Sequence, residues 1–199
     1  MKVYYDLLSD EIQQKLKKSH DKRYDYEYLY GCLMQKEYDK CENYLKEKCT
    51  SIGPQTSIIY TGYGAVDYLI GKNVDRCREN NIKVTFNVEM HESPIEENEF
   101  FVLLANLLDN AVEAALKCID ERFVEIRMHE MSSLFRLYIA NSYVEEPVKA
   151  GKRLVSIKND GGNHGWGLES VKDMVKKYHG TIDIIYESKK FVVDIVFMC

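Results

Sequence analysis

The sequence lacks any apolar run able to cross a membrane. No stretch approaches the roughly 18 consecutive apolar residues a spanning helix needs, and Met1 leads into KVYYDLLSDEIQQ, which is no signal peptide. An excess of positive charge is missing too: the formal net charge is −5 and the pI about 5.6, so nothing electrostatic points to a nucleic-acid partner. Cys32, Cys41, Cys49, Cys77, Cys118 and Cys199 contain no Cys-x-x-Cys pair and no histidine at ligand spacing. That argues against a zinc site and for reduced packing thiols in a cytosolic protein. His91, His129 and His179 have no partner logic. Internal repeats and low-complexity tracts are absent as well.

What is present is enough for one good-sized domain or a small domain plus an element: 199 residues, 45% hydrophobic and 30% charged. From Val3 to about Cys49 the chain is almost all helix formers. Leu8, Ile12, Leu16, Tyr26, Leu29, Tyr30 and Leu33 recur at spacings of three and four, interrupted at SHDKR (Ser19 to Arg23). After QKEYDK a second pattern follows with Cys41, Tyr44, Leu45 and Cys49. Two helices joined by a short link cannot bury their stripes alone, and pairing with a second copy into a four-helix bundle is the simplest remedy. SIGPQTS then reads as a linker. The expected division is a helical hairpin over 1–56 and a second domain over 57–199.

The second domain is mixed. GAVDYLIGKNVDRCREN reads as a helix burying Val66, Leu69, Ile70 and Val74. IKVTFNVEM alternates Ile82, Val84, Phe86, Val88 and Met90 as a strand with one buried face. FVEIRMHEM and LFRLYIAN flank Ser132-Ser133 as a hairpin, and TIDIIYE and FVVDIVFM flank SKK as another. The fold class is therefore α+β: a helical hairpin followed by a two-layer α/β sandwich whose mixed sheet is mostly antiparallel, with helices on one face.

NLLDNAVEAAL, Asn106 to Leu116, is the stretch an ordinary surface helix does not explain. Asn106, Asp109, Asn110 and Glu113 fall at i, i+3, i+4 and i+7, a polar stripe about 100° wide on an otherwise apolar helix. A solvent-facing surface would be broader and carry lysines. The acidic EENE before it, Glu96 to Glu99, suits a solvated helix start.

NDGGNHGWGLESVKDMVKKYHG, Asn159 to Gly180, carries the second signal. Gly161, Gly162, Gly165 and Gly167 crowd the approach to a helix with Leu168, Val171, Val175 and Tyr178 as its buried stripe, and Gly180 fits the C′ position. Backbone N–H groups in such a lead-in close around an anion at a helix N-terminus. A mobile surface loop is the plain alternative, as a buried amide pair is for the polar stripe. Together the two signals suit a Mg²⁺–triphosphate, which needs oxygen ligands for the metal and amide donors for the phosphates.

On these residues the chain resembles a family. NLLDNAVEA looks like the N box, and HGWGL like the second glycine box, of the ATP-binding fold shared by gyrase, mismatch-repair ATPases and sensor histidine kinases. IANSY, SIK and YTGYGAVDYL are similar to quorum-sensing histidine kinases of the accessory-gene-regulator type, and SHD resembles their phospho-acceptor box. The resemblance implies that Asn110 ligates Mg²⁺, that Asn106 helps hold metal and phosphate, and that Asn141 contacts adenine. It implies that Lys158, His164, Gly165, Gly167 and the N–H of Leu168 surround the phosphates of ATP. It further implies that His20 accepts the γ-phosphoryl group, with Asp21 polarising its ring.

The chain departs from the family pattern in three places. HDKRYD puts Tyr24 and Asp25 where an asparagine and a histidine are common, which bears on His20 chemistry and any phosphatase activity. Asn73 stands where a lysine is frequent, and Trp166 where a small or aliphatic residue is usual. The resulting expectation is a homodimeric, cytoplasmic histidine kinase core of a two-component system. It would pass phosphate to a response-regulator receiver domain and follow an upstream membrane sensor region if the chain is a fragment. Two other readings stay open: a nucleotide-gated dimeric interaction module without phosphoryl transfer, and an anti-sigma-type serine kinase.

Overall fold

A computed structural model describes residues 22–48, 61–144, 148–150, 153–155, 167–187 and 189–198. The chain divides into two compact units, Met1–Pro54 and Gln55–Cys199.

In the first unit, helix α1 runs over 22–34 and α2 over Tyr38–Lys48. The turn between them is a helix C-cap in which Glu37 N–H donates to the Cys32 carbonyl at 2.9 Å and Lys36 N–H to that of Leu33 at 3.0 Å. Lys36 takes the left-handed conformation there, at φ 57°. The two helices meet through Tyr28 and Tyr44, whose ring centroids are 4.5 Å apart, and through Cys41 Sγ, which lies 3.7 Å from the Leu29 carbonyl. Lys22 and Arg23 are helical, so of the expected interruption at Ser19–Arg23 only Ser19 to Asp21 lies outside the described residues. Leu8, Ile12 and Leu16 lie outside them too, and with them the expected length of the first helix.

The second unit is an α+β sandwich. Its sheet has five strands: β1 (Lys83–Glu89), β2 (Phe123–Met131), β3 (Leu134–Ser142), β6 (Thr181–Glu187) and β7 (Lys190–Met198), in the order β1-β2-β3-β7-β6. Only β1 and β2 are parallel; the other pairs are antiparallel, so the sheet is mixed. The hairpins close as the alternation requires, Met131 opposite Leu134 and Glu187 opposite Lys190, with Ser132 and Lys189 at positive φ. A further pair of short strands, β4 (Val148–Ala150) and β5 (Arg153–Val155), was not anticipated.

Helices α3 (Gly64–Glu79), α4 (Glu97–Lys117) and α5 (Gly167–Lys177) cover one face, α4 over β2 and β3, α3 over β1 and α5 over β6. Phe100, Leu103, Leu104, Leu107, Leu108, Ala111, Val112 and Ala115 are the buried side of α4. They meet Val124, Ile126 and Met128 of β2, Phe135, Leu137 and Ile139 of β3, and Val193, Ile195 and Phe197 of β7 in one core. Val66, Leu69, Ile70 and Val74 of α3 join it. The opposite face is polar and partly neutralised, with Arg136 Nε donating to Asp194 at 2.9 Å and Lys190 3.2 Å from Glu125. Phe86 does not share in the expected buried face of β1. It is 42% exposed because β1 is an edge strand that α3 alone overlies, whereas Val84 and Val88 pack on the core.

Gly180 is not at the C′ position of α5. His179 is, at φ 56°, and Gly180 follows as the residue whose N–H closes the cap on the Val175 carbonyl at 2.9 Å. The demand for glycine comes from elsewhere: a Cβ at Gly180 would stand 2.8 Å from Phe197 Cδ1 and 2.9 Å from the Val196 carbonyl. The residue lets α5 turn directly onto β7.

Candidate functional site

The polar stripe of α4 is the side of the helix turned away from the sheet, opposite its buried residues. Asn106 is half-buried, Asn110 and Asp109 are exposed, and Glu113 is half-buried. On one flank lies α3, whose Arg76 stands 3.7 Å from Asp109. On the other lies the first residue of α5. A Cβ built on Gly167 would reach Asn110 Nδ2 at 3.4 Å and Asn106 Oδ1 at 3.9 Å. Two segments 57 positions apart in sequence (110 to 167) therefore meet at the two amides and a glycine, the residues that carried the two sequence signals.

That meeting has a chemical reading. The first N–H groups of a helix have no partner within the helix, and the N-terminus carries partial positive charge. The side-chain amides of Asn106 and Asn110 lie beside that terminus, Asn106 turning its Oδ1 and Asn110 its Nδ2 toward Gly167, and an amide carbonyl is a hard oxygen donor of the kind Mg²⁺ accepts. Among the described residues no three His, Cys, Asp or Glu side chains gather into a metal-holding group. Mg²⁺ at a nucleotide usually takes most of its ligands from phosphate and water, so a single amide oxygen is a sufficient protein contribution. The two amides stand within van der Waals reach of the start of α5, and amide oxygens beside a helix N-terminus fit Mg²⁺ with a triphosphate.

Asn141 sits near the end of β3, 1% exposed, on the face the helices cover. Its Nδ2 donates to the Ser142 carbonyl at 2.9 Å, which fixes the amide so that its other end is an acceptor. Cross-strand register sets it in a row, Val124 opposite Asn141, Asn141 opposite Phe191, Phe191 opposite Tyr186. Tyr143 adds to the row, its ring edge-on to Tyr186 at 6.0 Å, while Tyr186 and Phe191 are 4.8 Å apart. Sequence reasoning did not single out this aromatic group. The Tyr186 hydroxyl is buried and has no hydrogen-bond partner among the described residues. Burial, then the nearby Tyr143, pushes its pKa up to about 12.

Leu168 is half-buried and packs on the core, which anchors the start of α5. Lys177, at the other end of α5, bonds Glu99 on α4 at 2.6 Å and holds the Glu99 carboxyl below its ordinary range. The expected solvated helix start is thus partly a clamp between α4 and α5. Lys158, His164, Gly165 and Trp166 lie outside the described residues, as do His20 and Asp21.

Two of the departures from the family pattern have structural accounts. Asn73 is buried at 3% exposure and donates to the Leu69 carbonyl of its own helix at 3.0 Å, so it packs within the core layer. Asp25 accepts a hydrogen bond from Tyr44 Oη across the two N-terminal helices and lies 3.3 Å from Lys48 Nζ. The Tyr44 bond, aided by Lys48, lowers the Asp25 pKa against a smaller opposing effect of burial. YTGYGAVDYL also has a local explanation: Thr61 donates from N–H and Oγ1 to the Asp67 carboxylate, both at 2.7 Å, tying the entry loop to the first turn of α3.

With this geometry in place, residues 95–198 match the GHKL domain. No curated protein matches at the level of sequence. Solved structures share the fold. The catalytic domain of the histidine kinase ThkA superposes with a TM-score of 0.53 at 17% identity, over 72% of this chain and 96% of that one. The histidine kinase AdeS of Acinetobacter baumannii gives 0.51 at 15% identity, over 90% and 97%. The mycobacterial sensor histidine kinase MprB gives 0.50 at 19%, over 67% and 95%.

Proposed function

Because the chain belongs to the GHKL domain family, we propose that it is the kinase core of a two-component sensor histidine kinase, of the accessory-gene-regulator quorum-sensing type. Its second unit is a GHKL ATP-binding domain that resembles histidine kinase catalytic domains in fold. The observation that carries the reading is the approach of Gly167 to Asn110 and Asn106, at 3.4 and 3.9 Å from the position of an added Cβ.

In this proposal Asn110 ligates Mg²⁺ and Asn106 holds metal and phosphate. Bound Mg²⁺ supplies neutralisation of the charge on the transferring phosphoryl group. The N–H groups at the start of α5, with Gly165, Gly167, Leu168, His164 and Lys158, bind the phosphates, and Asn141 accepts from the adenine amine. A ring nitrogen of His20 attacks the γ-phosphorus, the bond to the bridging oxygen breaks, ADP leaves with that oxygen, and Asp21 stabilises the charged ring. The protein's contribution is positioning and electrostatics. The phosphoryl group then passes to an aspartate of a response-regulator receiver domain. The N-terminal helices pair with a second copy, and an upstream membrane sensor region supplies the signal if the chain is a fragment.

The Asp25 geometry favours this reading over the interaction module. A carboxylate held by Tyr44 and Lys48 repels an incoming phosphate less than a free one. Incubation with γ-labelled ATP, wild type beside His20→Gln, tests the proposal. Acid-labile label on the wild type that is lost in the variant supports it. Equal label in both, or none on a wild type that binds ATP, contradicts it.

A further inference from the structure

We propose that Tyr186 is a base-reading residue of the nucleotide site: its phenol, without a partner among the described residues, hydrogen-bonds the six-membered ring of the base that Asn141 reads. The inference rests on the ATP-binding reading above and adds a residue to it.

Register supports it first. Asn141, Phe191 and Tyr186 are consecutive members of one cross-strand row on the helix-covered face. Side chains on one face of paired antiparallel strands are neighbours by construction. The row lies at the end of the sheet where β3 finishes, with Tyr143 just past it. Three aromatic rings, Tyr143 edge-on and Phe191 tilted against Tyr186, stand with a fixed carboxamide as an apolar lining with one polar reader, the composition a purine requires. Asn141 presents an acceptor, suited to an exocyclic amine.

The hydroxyl supports it second. A phenol buried without a partner costs stability, because it has given up water and gained nothing. Tyr68 is the other described residue whose hydroxyl is so placed, and it sits on α3, outside this row. An aromatic wall that only had to pack would be served as well by phenylalanine, the residue at the neighbouring position 191. The oxygen at position 186 is explained if its partner arrives with the ligand. A phenol can donate to a ring nitrogen of the base, so the cost in the free protein is repaid in the complex.

The experiment uses the full chain and Tyr186→Phe, with two nucleotides. ATP carries the ring nitrogens and the amine; benzimidazole riboside triphosphate keeps the ring shape and lacks every hydrogen-bonding atom on the six-membered ring. Melting of the free proteins is measured first, then the Kd of each nucleotide in Mg²⁺ by calorimetry. The expected result is a Tyr186→Phe protein that melts no lower than wild type, binds ATP about 3- to 10-fold more weakly, and binds the benzimidazole analogue unchanged. A variant that melts lower overturns the claim that the hydroxyl is unpaired. Equal losses for both nucleotides, or none for ATP, overturn the base-reading role. Wild type that binds neither removes the ATP reading itself, and this inference with it.

Discussion

The two units of the chain use aromatic residues in opposite ways. In the sandwich, Phe100, Phe135 and Phe197 are fully buried, and Phe100 meets Phe135 edge to face at 5.7 Å. In the described part of the helical unit only Cys32 and Cys41 are buried, while Tyr24, Tyr26, Tyr30, Leu33, Met34, Tyr38 and Leu45 are exposed. The sandwich closes its own core. The helical unit sets one flank of α1 against α2 through Tyr28, which stays 45% exposed, and leaves Tyr26 and Tyr30, about 200° around the helix, at 68% and 65%. A folding unit and an association surface have different compositions for that reason, and the difference underlies the proposed pairing with a second copy.

The largest expected effect breaks the sandwich. Phe135→Ala removes a buried ring at the centre of the sheet and should cost about 3–5 kcal/mol, seen as a shift of the urea midpoint. A cost under about 1 kcal/mol would mean the core is not shared between α4 and β3 as described. Next is Gly180→Ala. Its added Cβ meets Phe197 and the Val196 backbone, and overpacking of that kind costs about 1–3 kcal/mol. Were the residue needed only for a left-handed conformation, Asn would rescue it; contact with Phe197 predicts that Asn is worse than Ala.

In the helical unit the same kind of change should leave folding alone and alter association. Tyr26→Ser with Tyr30→Ser should weaken self-association about tenfold or more by sedimentation, with little loss of helix. Unchanged association would place the interface on another face. The smallest effect concerns Asp25. Its pKa is depressed in the folded state, so its contribution is present above the ordinary carboxylate pKa of about 4 and lost as pH falls through the lower folded value. The difference in melting between wild type and Asp25→Asn should therefore be largest near neutral pH and shrink towards pH 3. A difference that grew on acidification would contradict the Tyr44–Asp25 bond.

What could be read from the sequence was what repeats locally. The α4 stripe follows from a period of 3.6, and the two hairpins follow from alternation on either side of Ser132-Ser133 and of SKK, although the second strand begins at Lys190, within SKK. The α5 buried stripe follows in the same way, with Val171 and Val175 in the core. What could not be read depends on partners distant in sequence. Asp25 finds Tyr44 on another helix, and Gly180 is constrained by Phe197. The row Asn141–Phe191–Tyr186 exists only once register is set, because one residue of slip would turn the aromatics to the other face. β4 and β5 are three residues each, too short for alternation to declare itself. At the candidate site the two amides and the glycine were legible one by one, and their proximity was expected only because both signals suit one ligand; the structure supplies the approach itself.

That proximity is the centre of the account, and calorimetric titration of Mg²⁺ and ATP into wild type and Asn110→Ala tests it most directly. The account predicts saturable ATP binding to the wild type that strengthens with Mg²⁺, and loss of the Mg²⁺-dependent part in Asn110→Ala with no change in melting of the free protein. Wild-type binding that ignores Mg²⁺, or an Asn110→Ala protein that responds to Mg²⁺ as the wild type does, would contradict it.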